Sequence, residues 1–236
     1  MLGFISDLKK ISAVLLVGGL LGTVSSHAQM TRRSKRESNA NRQARIARSI
    51  EDTYSHRWEV AGGGGSLRVR SGPTTQRNNE ITWAVSNTYY FNPKLGVEGD
   101  VRGSYGDAKV NNTFANIANP KISQYFIMGG PSYRFYERQH FALGAHALGG
   151  VTLGNFDGGT KGFPAYTVNL FNSGPRPTFS LGINFDYNFY PNLAFRITPT
   201  YIGSLLSSNV VGNQGTYLQN NKGVNFQVLY RFGRIK

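Results

Sequence analysis

Gly223-Val224-Asn225-Phe226-Gln227-Val228-Leu229-Tyr230-Arg231-Phe232 alternates apolar and polar side chains almost without a break. Val224, Phe226, Val228, Tyr230 and Phe232 fall on one face, and Asn225, Gln227, Leu229 and Arg231 on the other. A repeat of two is the signature of a strand whose sides meet different environments, and a helix of the same composition would not keep it.

The same pattern recurs back along the chain. Arg57 to Gly63 opens the series, with Trp58 and Val60 opposite Arg57 and Glu59. Glu80 to Phe91, Leu95 to Tyr105, Tyr125 to Phe135 and Phe141 to Leu153 follow, then Phe179 to Phe189, Leu193 to Ile202 and Val224 to Phe232. That makes eight strands. Short turns at 92–94, 136–140 and 190–192 interleave with longer polar stretches near 66–79, 106–123, 154–178 and 203–223. A soluble meander has no reason for such asymmetry, whereas a membrane barrel with both ends on one side has short turns there and long loops opposite.

On these features the chain resembles the outer-membrane β-barrel proteins of the OmpA-like type. The resemblance covers about residues 56–232 and implies an all-β fold, an eight-stranded antiparallel up-and-down transmembrane β-barrel at the cell outer membrane. Ten residues at roughly 3.3 Å each, tilted by about 40°, rise roughly 25 Å, the height of the apolar band such barrels present. The chain ends four residues after Phe232, so the C-terminal peptidoglycan-binding domain of longer relatives is not expected. Gly233 to Lys236 also displace the terminal aromatic that assembly machinery usually reads in such families.

Composition agrees with a barrel and excludes other classes. Hydrophobic residues make up 39% of the chain, with 29 glycines, 15 phenylalanines and 13 tyrosines. Past the N-terminus there is no apolar run long enough for a membrane helix, but a barrel needs only alternate residues to face lipid. Zero cysteines exclude disulfides, thiolate metal sites and a lipid anchor on cysteine. Residues 1–28 read as a signal peptide: Lys9 and Lys10 precede an apolar stretch, and Ser26-His27-Ala28 supplies small residues before a cut at Gln29.

A basic tail or linker is expected over residues 29–55, and nearly half of the net charge of +14 lies within 31–48. Arg32, Arg33, Lys35, Arg36, Arg42, Arg45 and Arg48 stand against Glu37 alone, with no aromatic before Tyr54. Nucleic-acid binding asks for a folded basic face or interleaved aromatics, so no nucleic-acid partner is expected. A solvated tail is the favoured reading, with phosphate-rich lipid headgroups as the partner if it has one. Ala40, Ala44, Ala47 and Ile50 are spaced for a short amphipathic helix.

Aromatics on the apolar face cluster at strand ends. Phe91, Phe135, Phe141, Phe189, Phe195 and Phe232 lie beside the short turns, and Trp83, Tyr105, Tyr125, Phe179 and Tyr201 toward the long loops. Two interfacial girdles follow, with outer-membrane lipids as the partner. A lipocalin-like barrel would turn its bulky apolar face inward. Eight strands leave an interior that side chains alone fill, so the small and polar face belongs inside. Pro131 and Pro199 are each expected to cost a ladder hydrogen bond or make a bulge.

By parity the inward charges are Glu59, Glu98, Asp100, Arg102, Arg134, Asp186, Arg196 and Arg231, with Arg57 and His146 beside them. Buried charges persist when paired, so these residues predict an interior network that seals the barrel. No cofactor or metal is expected, since His146 has no second in-strand histidine. Some small outer-membrane barrels that resemble this one are lipid-modifying hydrolases or acyltransferases. Those need a nucleophile beside a base, and nothing in the spacing brings Ser132 or Ser180 to His146. Gly62 to Gly65 lacks the Gly-Lys-Ser/Thr that a phosphate-cradling loop requires. The expected function is therefore a non-enzymatic integral barrel with a sealed polar interior, serving membrane integrity or surface adhesion through its loops. A lipid-acting enzyme and a narrow solute pore are the alternatives. Phe156, Phe163, Tyr166 and Phe171 give the 154–178 loop more apolar surface than solvation needs, and mark it as the candidate contact with an extracellular ligand or surface.

Overall fold

The computed structural model describes residues 38–110, 117 and 119–235. The proposed signal peptide and most of the basic tail lie outside the described residues. By its contacts the chain divides into residues 1–42 and 43–236. Helix α1, Asn39–Tyr54, runs across that division, and Ser38 caps its start, its Oγ accepting from the Asn41 amide at 3.3 Å.

Within residues 43–236, eight antiparallel strands close into a ring in sequence order: β1 Trp58–Arg70, β2 Arg77–Tyr90, β3 Leu95–Asp107, β4 Lys121–Glu137, β5 Phe141–Asn155, β6 Gly174–Tyr190, β7 Leu193–Val210 and β8 Asn213–Phe232. Closure is made by β1 against β8, with Trp58 opposite Phe232, so the strands begin and end on the same rim. Alternation fixes which face is inside. In β8 Asn225, Gln227, Leu229 and Arg231 are buried, while Phe226, Val228, Tyr230 and Phe232 are exposed.

The strands outrun their expected bounds on the loop side, because polar residues that look like loop in sequence still pair. The Gly62 to Gly65 run lies inside β1. A Cβ on Gly63 would stand 2.0 Å from the Phe226 carbonyl, and one on Gly65 equally close to that of Val224, so only glycine lets β8 approach. The expected 203–223 loop is instead a hairpin turning at 211–212. Its residues 205–210 pair with β8 alone, about 20 Å of ladder beyond the last rung shared with β6.

Each proline interrupts the ladder on one side. β4/β5 pairing lapses between Gly129 and Ser132, across Pro131, and β6/β7 pairing lapses between Gly182 and Phe185, opposite Pro199. Further register shifts fall at Arg134/Tyr136 and Asn188/Tyr190. On the turn rim, Asn92 Oδ1 accepts from the Lys94 and Leu95 amides at 3.0 and 2.8 Å, the local closure that lets 91–94 reverse so tightly.

Candidate functional site

The barrel interior is layered along its axis, and the layers differ in chemistry. At the turn rim Glu59 is the hub. Its Oε1 accepts from Arg134 Nη2 and from Arg231 Nε at 2.7 Å, and its Oε2 from Arg196 Nη2 at 2.9 Å. Asp186 takes Arg196 Nε at 2.6 Å and Arg231 Nη2 at 3.3 Å. Three guanidinium groups thus share two carboxylates, all five residues buried. The surplus positive charge lies against π faces: Arg134 stands 4.3 Å from the Tyr90 ring centroid and 4.9 Å from that of Tyr54.

Tyr54 is the residue the sequence reading missed. The segment 29–55, expected as tail or linker, is helical over α1, and the helix delivers Tyr54 into the turn rim. The Tyr54 hydroxyl donates to the Arg138 carbonyl at 2.7 Å and accepts from Asn188 Nδ2 at 2.8 Å. Burial pushes its phenol above the ordinary range, so it stays neutral and serves as both donor and acceptor. The one sequence signal was its place as the first aromatic after the basic tract.

The eight charges expected as one network separate into three groups. Glu59, Arg134, Asp186, Arg196 and Arg231 form the rim cluster. Arg102 pairs with Asp100 two residues away on β3, at 3.4 Å. Glu98 pairs with His146, Nδ1 to Oε1 at 3.2 Å, rather than with an arginine. Strand length separates these groups, since partners several residues apart along a strand cannot meet across the lumen. Arg57 stays outside the lumen, 5.7 Å from the Tyr89 ring centroid. Glu80 adds a buried carboxylate that parity allowed and the sequence reading did not select, bonded to Ser104 Oγ.

Ser132 lies directly across β4/β5 from His146, a proximity that spacing did not reveal. Neither ring nitrogen of the imidazole, however, bonds the Ser132 hydroxyl. A Cβ on Gly182 of β6 would stand 2.4 Å from His146 Nε2, so that edge of the ring packs over the glycine while Nδ1 reaches toward Glu98 of β3. Nδ1 faces Glu98 and Nε2 faces Gly182, which leaves no ring nitrogen on the Ser132 hydroxyl. A nucleophile–base pair is not assembled here. Outside the same stretch of wall, between Pro131 and Pro199, lies an apolar recess of about 770 Å³.

Toward the loop end the interior is mixed, with apolar side chains packed beside the buried Glu80, Gln124 and Asn221. Leu67, Val69, Phe126, Met128, Leu148 and Ile202 form a buried layer, correcting the expectation of a small, polar interior throughout. Leu67 and Val69 belong to a stretch that reads as loop in sequence, so their parity was hidden. At the loop end a second apolar cluster includes Ile117, Ile122, Phe156, Val168, Leu170, Phe171 and Leu206. Phe156 is 0% exposed and Phe171 2%, so neither is a contact residue. Both close the mouth because the loop folds back: the Phe171 amide donates to Ser71 O at 3.0 Å and the Asn172 amide to Ser207 O at 2.9 Å. Phe163 and Tyr166, at 41% and 42%, remain outside.

The eleven residues expected as girdles all face outward. Phe141 and Phe189 each pack edge-on against Tyr187, with centroids 5.1 Å away, at the turn rim. Tyr105 meets Tyr125 at 5.8 Å and Phe179 meets Tyr201 at 5.9 Å toward the loops. Trp83 leans over Gly103, where a Cβ would stand 2.4 Å from its Nε1.

A closed ring of eight antiparallel strands, with an apolar outer belt and a filled lumen, defines a small membrane β-barrel. Its structural neighbours are eight-stranded outer-membrane barrels. Neisserial surface protein A matches with a TM-score of 0.52 at 12% identity, over 74% of this chain and 97% of that one. Ail, the attachment invasion locus protein of Yersinia pestis, matches with a TM-score of 0.48 at 17% identity, over 75% and 99%. OprG of Pseudomonas aeruginosa matches at 0.47 and 13%, over 77% and 98%. No protein-family model matches the sequence. No curated protein matches it either. The likeness to these barrels is one of fold.

Proposed function

We propose that the protein is a non-enzymatic integral barrel of the outer membrane, exported by its signal peptide, with its lumen sealed and its contacts made by the loop end. The filled interior carries this reading. Rim charges, the apolar layer around Phe126 and the loop plug around Phe171 occupy the lumen in succession, and eight strands leave little space beyond their own side chains. A general pore needs about 16 to 18 strands. In the proposed topology the turn rim faces the periplasm, where the signal peptide delivers the N-terminus, and the loops face outward.

The contact surface is then smaller than the sequence suggested. It comprises Phe163 and Tyr166 on the 156–173 loop and the tip of the β7–β8 hairpin, where Val211 is 88% exposed. The neighbour Ail has been crystallised with a heparin analogue, sucrose octasulfate. Binding of a sulfated or phosphated surface is in keeping with the basic character of this chain, which has no Asp or Glu after Asp186.

Planar-bilayer recording of purified protein tests the seal. The expected result is small intermittent current at most, rising in the Arg134→Ala, Arg196→Ala double variant, which strips two partners from Glu59. A stable porin-sized conductance from the unmodified protein would overturn the reading.

A further inference from the structure

The outer face of β1 combines small residues with charge. Its outward register reads Val60, Gly62, Gly64, Ser66, Arg68 and Arg70, small residues leading up to two cations. Gly62 lies between Val85 and Val228, Gly64 between Trp83 and Phe226, and Ser66 between Ile81 and Val224. Adjacent strands are about 4.8 Å apart, so two apolar ridges stand about 10 Å from each other with a floor of backbone between them. Nothing covers that floor: a Cβ on Gly62 would meet only Val85 Cγ2, at 4.0 Å, and Trp83 leans the opposite way onto Gly103.

At the loop end of the trough, like charges face each other. Arg68 is directly opposite Lys222 on β8, and Arg70 directly opposite Arg77 on β2. Such pairs repel. Among the described residues no carboxylate forms an ion pair with any of the four. Glu59 and Glu80, the only acids of β1 and β2, point into the lumen, and β8 has none. Arg77 Nη1 donates to the Asn220 carbonyl at 2.8 Å, and Arg70, Arg77, Tyr217 and Asn220 line a recess of about 80 Å³.

We propose that this is a site for a phosphorylated membrane lipid, the phosphate bridging Arg68, Arg70, Arg77 and Lys222 and an acyl chain lying over Gly62 and Gly64. A phosphate monoester offers several acceptor oxygens to planar guanidinium groups and cancels the repulsion within both cross-strand pairs. The trough selects a lipid over free phosphate, because the cations crown an apolar groove of single-chain width. The site rests on the reading of the outer belt as membrane-facing.

Trp58 and Trp83 are the only tryptophans, so Trp58→Phe leaves a single reporter beside the trough. That variant, reconstituted in phosphatidylcholine vesicles, receives phosphatidic acid or phosphatidylcholine with brominated acyl chains at equal mole fraction. Phosphatidic acid is expected to quench Trp83 several-fold more effectively. The preference should fall by about half for each of Arg68→Gln and Lys222→Gln, and vanish when Arg70→Gln and Arg77→Gln are added. Gly62→Leu should reduce quenching by both lipids. Equal quenching by the two lipids overturns the proposal, as does a preference that survives the four charge substitutions. A preference removed by millimolar inorganic phosphate would assign the cations to free phosphate instead. The heat-dependent gel mobility of folded barrels checks each variant, and the single substitutions decide the matter if the fourfold one fails to fold. Vesicles present both leaflets, so failure here is distinct from failure of the topology, which protease added to intact cells reads separately.

Discussion

The two ends of the lumen are closed by opposite means. At the turn rim, Glu59 and Asp186 hold three arginines through charge-assisted hydrogen bonds, and Tyr54 supplies both an aromatic face and a polar tip. At the loop end, Phe156, Leu170 and Phe171 fill the mouth by apolar packing with their loop folded over them. A charge cluster is directional and depends on every partner, since removing one leaves another buried and unpaired. An apolar plug is additive and local, so it opens in part without dismantling the ring. The two ends are therefore built with different tolerance to change.

The sharpest way to break this contrast is Glu59→Gln. It leaves three buried guanidinium groups around one remaining carboxylate, and the expected loss is about 3–5 kcal/mol in urea unfolding of the reconstituted barrel. A loss below about 1 kcal/mol would mean that the rim cluster is dispensable.

Phe171→Ala should act on the other end alone. Removing a buried phenylalanine costs about 3–5 kcal/mol, more than a loop held by a few hydrogen bonds retains, so the segment opens locally. Trypsin cleavage at Lys161 should rise about tenfold or more while the global unfolding midpoint barely moves.

Tyr54→Phe sharpens the rim further. It keeps the ring under Arg134 and removes only the hydroxyl, for an expected cost of about 1 kcal/mol, read from the same urea transition. The smallest effect on stability belongs to Phe163→Ala with Tyr166→Ala, within about 0.5 kcal/mol of the parent, because both side chains are exposed. On the proposed loop-end contact role, attachment of cells carrying the protein to a surface should nevertheless fall. Unchanged attachment would move the contact surface to the β7–β8 tip.

Alternation made the fold legible. Where strands read cleanly, as at Phe179 to Phe189 and Val224 to Phe232, parity also placed Asp186 and Arg231 in the lumen and Phe189 and Phe232 on the belt. It failed where composition masked it: residues 66–70 and 203–210 are polar or glycine-rich enough to look like loop, yet they carry the inward Leu67, Val69 and Leu206. The contact loop misled for another reason. Its aromatics were correctly seen to exceed what a solvated loop needs, but apolar surplus does not say whether a partner or the protein itself covers it.

By itself, then, the sequence determined the number of strands, their alternation and the sign of each face, because these depend on a period of two that every local segment carries. Only the tertiary structure decided which charges meet, that His146 pairs with Glu98 rather than Ser132, that Tyr54 enters the rim, and that Phe156 and Phe171 close the mouth. Those outcomes depend on register between strands far apart in the chain and on the stagger of a closed ring, which no single segment encodes.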